Sequence, residues 1–286
     1  MKKITHMTRL GRWSVIGAMV AVSATVFARP APAPPLELHT WKVDGVERTA
    51  LVSAPKEITP KTIVPVVLVF HGHGGTSRNA ASSFRVHESW PDALVMYPQG
   101  LPTEGKIVDL IGDYSGWQHL AGMDHDRDLH FVDEMLSWAG KQYKTDSAHV
   151  FAAGHSNGGS MVYVLWVTRP DKFAAFASAS SVFPAALLGN AKPKPAFIVA
   201  GRQDALVPFA LQQWSLNGVL RIDHADAADH EWGGDARRHE PLGGGRGAEV
   251  IAYIHSGGHP LPSDAGELMV KFFKEIAASP TIIPER

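Results

Sequence analysis

The chain has no cysteine, which removes disulfide bridges, zinc–thiolate sites, iron–sulfur clusters, lipoprotein attachment and cysteine nucleophiles together. It has no charge excess either: 27 Lys and Arg face 28 Asp and Glu, which argues against a nucleic-acid binder. Its N-terminal apolar run, residues 13–27, is about 15 residues long, short of the ~20 that a spanning helix needs. No internal repeat or long low-complexity tract follows residue 35. With 45% hydrophobic and 19% charged residues in 286, the chain is that of a folded protein, long enough to bury a core without covalent staples.

What is present begins with a basic head. Lys2, Lys3, Arg9 and Arg12 precede the uncharged run, and Val26-Phe27-Ala28 places short side chains at the −3 and −1 positions of a cleavage site. This is the layout of a secretory signal peptide over residues 1–28. Its removal takes away four positive charges and no negative one, leaving an acidic balance. Residues 29–35 (RPAPAPP) read as a stiff linker. The folded part is therefore expected over 36–286 as a single domain, secreted or periplasmic, with no stable membrane anchor after cleavage.

Short β-like runs at 36–41 and 46–53 are joined by Val-Asp-Gly, which predicts an antiparallel hairpin. Apolar runs at 62–70, 93–97, 149–153, 173–179, 196–200 and 248–254 read as strands buried on both faces. Helical patterns lie between them at 129–143, 157–169, 208–216 and 264–276. Buried strands alternating with helices predict an α/β fold, a mostly parallel sheet covered on both faces, with active chemistry at the carboxyl ends of the strands. Residues 221–238 are polar and irregular, and the pattern leaves open a lid, a linker or an insertion. Asp124, Asp126 and Asp128 precede one helix; the spacing fails a calcium loop because Leu129 stands where Gly is needed, so the expectation is helix capping.

Gly154-His155-Ser156-Asn157-Gly158 matches G-x-S-x-G between a strand and a helix, the setting in which the serine projects as a nucleophile. A serine hydroxyl needs a base, and the base needs a group to orient it. Asp204 follows the apolar run 196–200 in a turn, where such a carboxylate belongs; Asp223, Asp226, Asp229 and Asp235 have no preceding strand. For the base, His255 touches a strand end and His259 lies past a Gly-Gly pair on a loop; the loop position favours His259. An oxyanion would meet the main-chain N–H of Asn157 and that of His73, in the Gly-rich stretch His71-Gly72-His73-Gly74-Gly75. His71 and His73 also have H-x-H spacing, but no third ligand stands nearby, so no metal is expected.

These pieces together resemble the secreted α/β-hydrolase esterases that include polyhydroxybutyrate depolymerase-like proteins and feruloyl or acetylxylan esterases. The matching stretches are LVFHGHGGT (68–76), YPQG (97–100), GWQ (116–118), DLHFVDEML (128–136), VFAAGHSNGGSMVY (150–163), GRQDALVPF (201–209) and GGH (257–259), in the family's order. The resemblance implies Ser156 as nucleophile, Asp204 as acid, His259 as base and no cofactor. It also implies that Trp117 lies at the substrate mouth, either stacking on substrate or packing. The chain departs from the family at His73, where cysteine is common, and in SGGHPLP (256–262), where GGGHTWP is common.

The expectation is an exported serine esterase acting on small-molecule or oligomeric esters: hydroxyalkanoate oligomers, feruloyl esters or acetyl-sugars. Two other readings stand beside it, a serine peptidase of the same fold and a non-catalytic binding protein on a hydrolase scaffold. The second would predict a broken triad, whereas all three members have candidates here.

Overall fold

Each residue of the strand 66–70 alternates between two separate cores: Val66, Leu68 and Phe70 pack into one, Val67 and Val69 into the other. That alternation makes an unbroken apolar run a strand covered on both faces. The structure, a computed structural model, describes residue 1 and residues 33–56, 58–105, 108–243 and 246–279. The expected signal peptide beyond Met1 and the first residues of the proline-rich linker lie outside the described residues.

In chain order the strands are β1 (Glu37–Val43), β2 (Val46–Ser53), β3 (Val66–Phe70), β4 (Leu94–Pro98), β5 (Leu101–Pro102), β6 (Ser115–Gly116), β7 (Val150–His155), β8 (Ala175–Ala179), β9 (Ala196–Gly201), β10 (His230–Gly233), β11 (Ala236–His239) and β12 (Val250–His255). The helices are α1 (Ser77–Phe84), α2 (Val86–Ser89), α3 (Arg127–Gln142), α4 (Asn157–Thr168), α5 (Ala185–Leu188), α6 (Phe209–Ile222) and α7 (Ala265–Ala278). Ten strands form one sheet in the order β1-β2-β4-β3-β7-β8-β9-β12-β11-β10, and β5 pairs with β6 apart from it. The middle, from β4 to β12, is parallel. Helices α3, α4 and α6 contribute to one core, and α1, α2 and α7 to the other. This is the mostly parallel α/β sheet that the sequence pattern predicts and the α/β-hydrolase fold that the family resemblance implies, with the antiparallel β1–β2 hairpin at the N-terminal edge.

Two features depart from the sequence reading. Residues 230–239 form a second antiparallel hairpin that extends the sheet beside β12, so this polar stretch covers a sheet edge and contributes nothing to the lining of the large cavity at the strand ends. Its inward residues are few, Ala236 and His239 being buried, so the usual alternation is too weak to read. Helix α1 buries Ser77, Ala80, Ala81 and Phe84 on one face, but only Phe84 is large, so the apolar signal is weak; a capping box between Thr76 and Asn79 secures its start. Among the described residues no helix is long and apolar enough to cross a membrane.

The sheet order gathers the candidate residues. Strands β3, β7, β8, β9 and β12 are consecutive neighbours, and the turns carrying His73, Ser156, Ser180, Asp204 and His259 leave their carboxyl ends. Parallel strands bring those five turns to one edge of the molecule.

A candidate active site at five strand ends

Ser156 sits between β7 and α4 with φ 56° and ψ −121°, a conformation costly for a residue with a Cβ. Glycine on each side makes the turn possible. A Cβ on Gly154 would lie 2.2 Å from the carbonyl oxygen of Gly158, and one on Gly158 would lie 2.3 Å from that of Phe70. The Ser156 amide donates to the carbonyl of Ala179 on the neighbouring strand (2.8 Å), which pins the turn to the sheet.

Asp204 leaves the end of β9 and is fully enclosed, its side chain showing 0% of its surface. Its Oδ1 accepts from the amides of Leu206 (2.9 Å) and Val207 (2.8 Å), and its Oδ2 from Gln212 Nε2 (2.9 Å) and His259 Nδ1 (2.8 Å). Burial pushes the carboxyl's pKa up, but the Val207 amide, the His259 ring and the Leu206 amide outweigh it and hold the group below its ordinary value. The carboxylate is therefore charged at neutral pH. Because it accepts from Nδ1, that nitrogen carries the proton and the outer nitrogen of the His259 ring keeps a lone pair. Ser156 and His259 face the same cavity, although no hydrogen bond joins the hydroxyl to the imidazole in this structure. Such contacts are often long in unliganded sites. His255, the alternative at the strand end, does not line the cavity, and its Nδ1 accepts from the Gly257 amide at 3.1 Å.

The loop after β3 is tightly folded. Gly75 donates to the carbonyl of Gly72 (2.9 Å) and Gly74 to that of Ser115 (2.7 Å). His71 is buried: its Nε2 accepts from the Gly100 amide (3.0 Å), so its Nδ1 donates to the carbonyl of Gly72 (2.7 Å). Among the described residues no group accepts from the main-chain N–H of His73 or of Asn157, and both residues line the cavity. Asn157 also opens α4, where the helix dipole favours negative charge. The His73 ring is paired with Asp109, Nε2 to Oδ2 at 2.9 Å.

Trp117 is not at the substrate mouth. It is fully buried, edge-on to Phe70 at 5.1 Å, and its Nε1 donates to the carbonyl of His71 at 2.9 Å. That acceptor lies beneath the loop after β3, so satisfying the indole N–H draws the ring inward. Its main chain, rather than its ring, meets the site: the Trp117 amide donates to Asn157 Oδ1 (2.7 Å) and Asn157 Nδ2 donates to the Trp117 carbonyl (3.0 Å). The capping expected of the aspartates before α3 is also replaced. Asp126 makes no side-chain cap; its Oδ1 accepts instead from Gln118 Nε2 and the Gly122 amide. Asp128 is buried against Arg48 at 2.7 Å and accepts from the Gln118 amide at 2.9 Å. Among the described residues no group of three or more His, Asp or Glu is placed to hold a metal ion.

The cavity has a volume of about 560 Å³. Much of its lining is apolar, formed by residues 182–185 and by Leu206, Val207, Pro208, Leu211 and Trp214. Among the described residues no Lys, Arg, Asp or Glu lines it. Trp214 is 40% exposed and supplies the aromatic surface that the sequence reading assigned to Trp117. Trp214 lies inside the helical run read at 208–216, but that run carries no motif to mark which of its residues faces a cavity. Sequence reasoning also missed Gln212, which buttresses Asp204 from one turn into the same helix and has no motif signature.

Residues 44–233 match a family model described as "Putative esterase". "Feruloyl esterase D" of Neurospora crassa is 24% identical over 80% of this chain and 79% of its own length. "Probable acetylxylan esterase A" of Aspergillus clavatus is 31% identical over a shorter stretch, 36% of this chain, and that stretch spans only 32% of the fungal protein. Among solved structures, one described as a ferulic acid esterase superposes with a TM-score of 0.57 at 15% identity, covering 86% of this chain and all of its own, a likeness that concerns the fold.

Proposed function

The chain belongs to that esterase family, and from this premise we propose that it is an exported serine esterase working through Ser156, His259 and Asp204. It is a carboxylic ester hydrolase. Ser156 Oγ attacks the ester carbonyl carbon while His259 Nε2 takes the hydroxyl proton. Asp204 keeps the ring in the Nδ1–H tautomer and stabilises the imidazolium. The amides of His73 and Asn157 receive the oxyanion. The imidazolium then gives its proton to the departing alcohol. Water adds to the acyl-enzyme as His259 takes a proton from it, and the acid leaves with Ser156 restored. These steps call on no cofactor.

The observation that carries this reading is the His259 Nδ1–Asp204 Oδ2 bond of 2.8 Å on the wall of the cavity that also holds Ser156. The volume and the apolar wall support an ester with one bulky apolar part, such as a hydroxycinnamoyl or hydroxyalkanoate group, over a bare acetyl-sugar. The fungal relatives named for feruloyl and acetylxylan esters are compatible with either. The basic head and the uncharged run of residues 13–27 support export.

Ser156→Ala is expected to lower kcat/KM on feruloyl and p-nitrophenyl esters by about 10⁴-fold or more and to abolish labelling by a fluorophosphonate, with the melting temperature preserved. Retained turnover would overturn the assignment. The same panel, run with acetyl-xylose beside p-nitrophenyl butyrate and methyl ferulate, ranks the substrate classes.

A further inference from the structure

The main-chain carbonyl of His259 receives two side-chain donors. His155 Nε2 lies 2.7 Å from it and Ser180 Oγ 3.0 Å from it. A carbonyl oxygen only accepts, so His155 carries its proton on Nε2 and Ser180 points its hydroxyl at the same atom. The two donors come from different strand ends: His155 closes β7 immediately before the nucleophile, and Ser180 follows β8 in a left-handed conformation with φ 49°. Their strands are neighbours, with His155 paired to Ala179. The His155 ring also lies against the His259 ring, 4.8 Å between centroids at 58°. On its other side a Cβ at Gly72 would stand 3.3 Å from His155 Nδ1, so the ring is wedged between the oxyanion loop and the base loop.

We propose that His155 is a positioning residue for the base: with Ser180 it grips the carbonyl of His259 and sets where the imidazole stands relative to Ser156. This rests on the reading of His259 as the base. The loop carrying His259 follows Gly257 and Gly258, a pair that by itself allows wide backbone freedom. Asp204 fixes the ring at Nδ1, which leaves the ring free to pivot about that bond unless the backbone is also held. The clamp supplies the second point. Burial lowers the pKa of His155, so its ring is uncharged at neutral pH and does not oppose the charge that His259 acquires in the reaction. The position is the variable x of G-x-S-x-G, which here needs a long side chain with an N–H at the reach of imidazole Nε2. Glutamine meets that need; phenylalanine keeps the ring and loses the donor.

The test measures kcat and KM on p-nitrophenyl butyrate for His155→Phe, His155→Gln, Ser180→Ala and His259→Ala, with a thermal melt for each. His155→Phe is expected to lose about 10- to 100-fold in kcat with KM changed less than threefold, and His155→Gln to recover most of that loss. Ser180→Ala is expected to lose about 2- to 10-fold in kcat. A folded His155→Phe with kcat within twofold of the parent overturns the proposal, as does a His155→Gln no better than His155→Phe. If His155→Phe does not melt cooperatively, Ser180→Ala decides: lost kcat at constant KM supports the clamp, and unchanged kcat overturns it. His259→Ala separates the two levels. If it stays active, the base assignment fails; if it is inactive while His155→Phe is active, only the clamp fails.

Discussion

Two histidines on the wall of one cavity are each tied to an aspartate behind it, and the two pairs are built alike. Asp204 and Asp109 each accept four hydrogen bonds: Asp204 from the Leu206 and Val207 amides, Gln212 and His259, and Asp109 from the Gly112, Asp113 and Tyr114 amides and His73. The ring contacts are 2.8 Å and 2.9 Å. In both, burial raises the carboxyl's pKa and amide and imidazole donors outweigh it, leaving the group below its ordinary value. The difference is which nitrogen is tied. Asp204 holds Nδ1 of His259 and leaves the outer Nε2 with a lone pair on the cavity wall. Asp109 holds Nε2 of His73, and the remaining Nδ1 is buried with no partner among the described residues, crowded by Gly116, where a Cβ would stand 2.7 Å away. A His–Asp bond is therefore no signature of a base; an accessible second nitrogen is.

The sharpest way to break this comparison is to make the same change in both pairs. Asp204→Asn is expected to lower kcat by about 10³- to 10⁴-fold, because an amide favours the wrong tautomer of His259. Asp109→Asn is expected to cost less than about tenfold in kcat and to appear chiefly as a lower melting temperature of the loop it organises. Equal losses in steady-state assays of the two variants would remove the distinction.

A pH series on the melting temperature sharpens the role of burial. Burial lowers the pKa of His71 and of His155 from the ordinary 6.5. Below 6.5 the unfolded chain takes up protons that the folded site still excludes, so stability falls as pH drops through that value. Asp204 adds a separate loss at lower pH, since its depressed pKa stabilises the fold above the ordinary 3.8 and that stabilisation disappears as the carboxyl protonates. The melting temperature should thus be lower at pH 5 than at pH 7.5, and less so in His155→Gln.

The smallest effect concerns a carboxylate without such a shell. Asp223 accepts from the Lys194 amide at 2.8 Å, while its Oδ2 is buried with no partner among the described residues. Burial raises its pKa well above the ordinary value, only partly offset by that amide. Such a group costs stability as pH rises, because the unfolded chain releases the proton first. Asp223→Asn should therefore melt a few degrees higher than the parent at pH 8, with the gain shrinking toward pH 4. A constant difference across that range would argue against the shift.

Much of the fold was legible along the chain. Apolar runs bounded by turns located β3, β4, β7, β8, β9 and β12, because a strand covered on both faces can carry few polar residues. Gly154 and Gly158 marked the nucleophile turn, because neither position has room for a Cβ. Asp204 and His259 stood out from their places after strands, and the structure brings them into contact. The β10–β11 hairpin and α1 were not legible, since the first turns few side chains inward and the second buries a face of small residues with Phe84 as its one large side chain.

What local spacing determined was burial and turning: which runs become core strands, where the backbone must reverse, and which residues those reversals present. The tertiary structure alone decided where each presented side chain ends. Trp117 turned inward because its indole N–H found the carbonyl of His71, and Trp214 took the exposed place. His155 and Ser180 meet the carbonyl of His259, 104 and 79 residues away in the chain. A hydrogen bond depends on ångströms in space, and separation along the sequence does not encode that distance until the sheet has set its strand order.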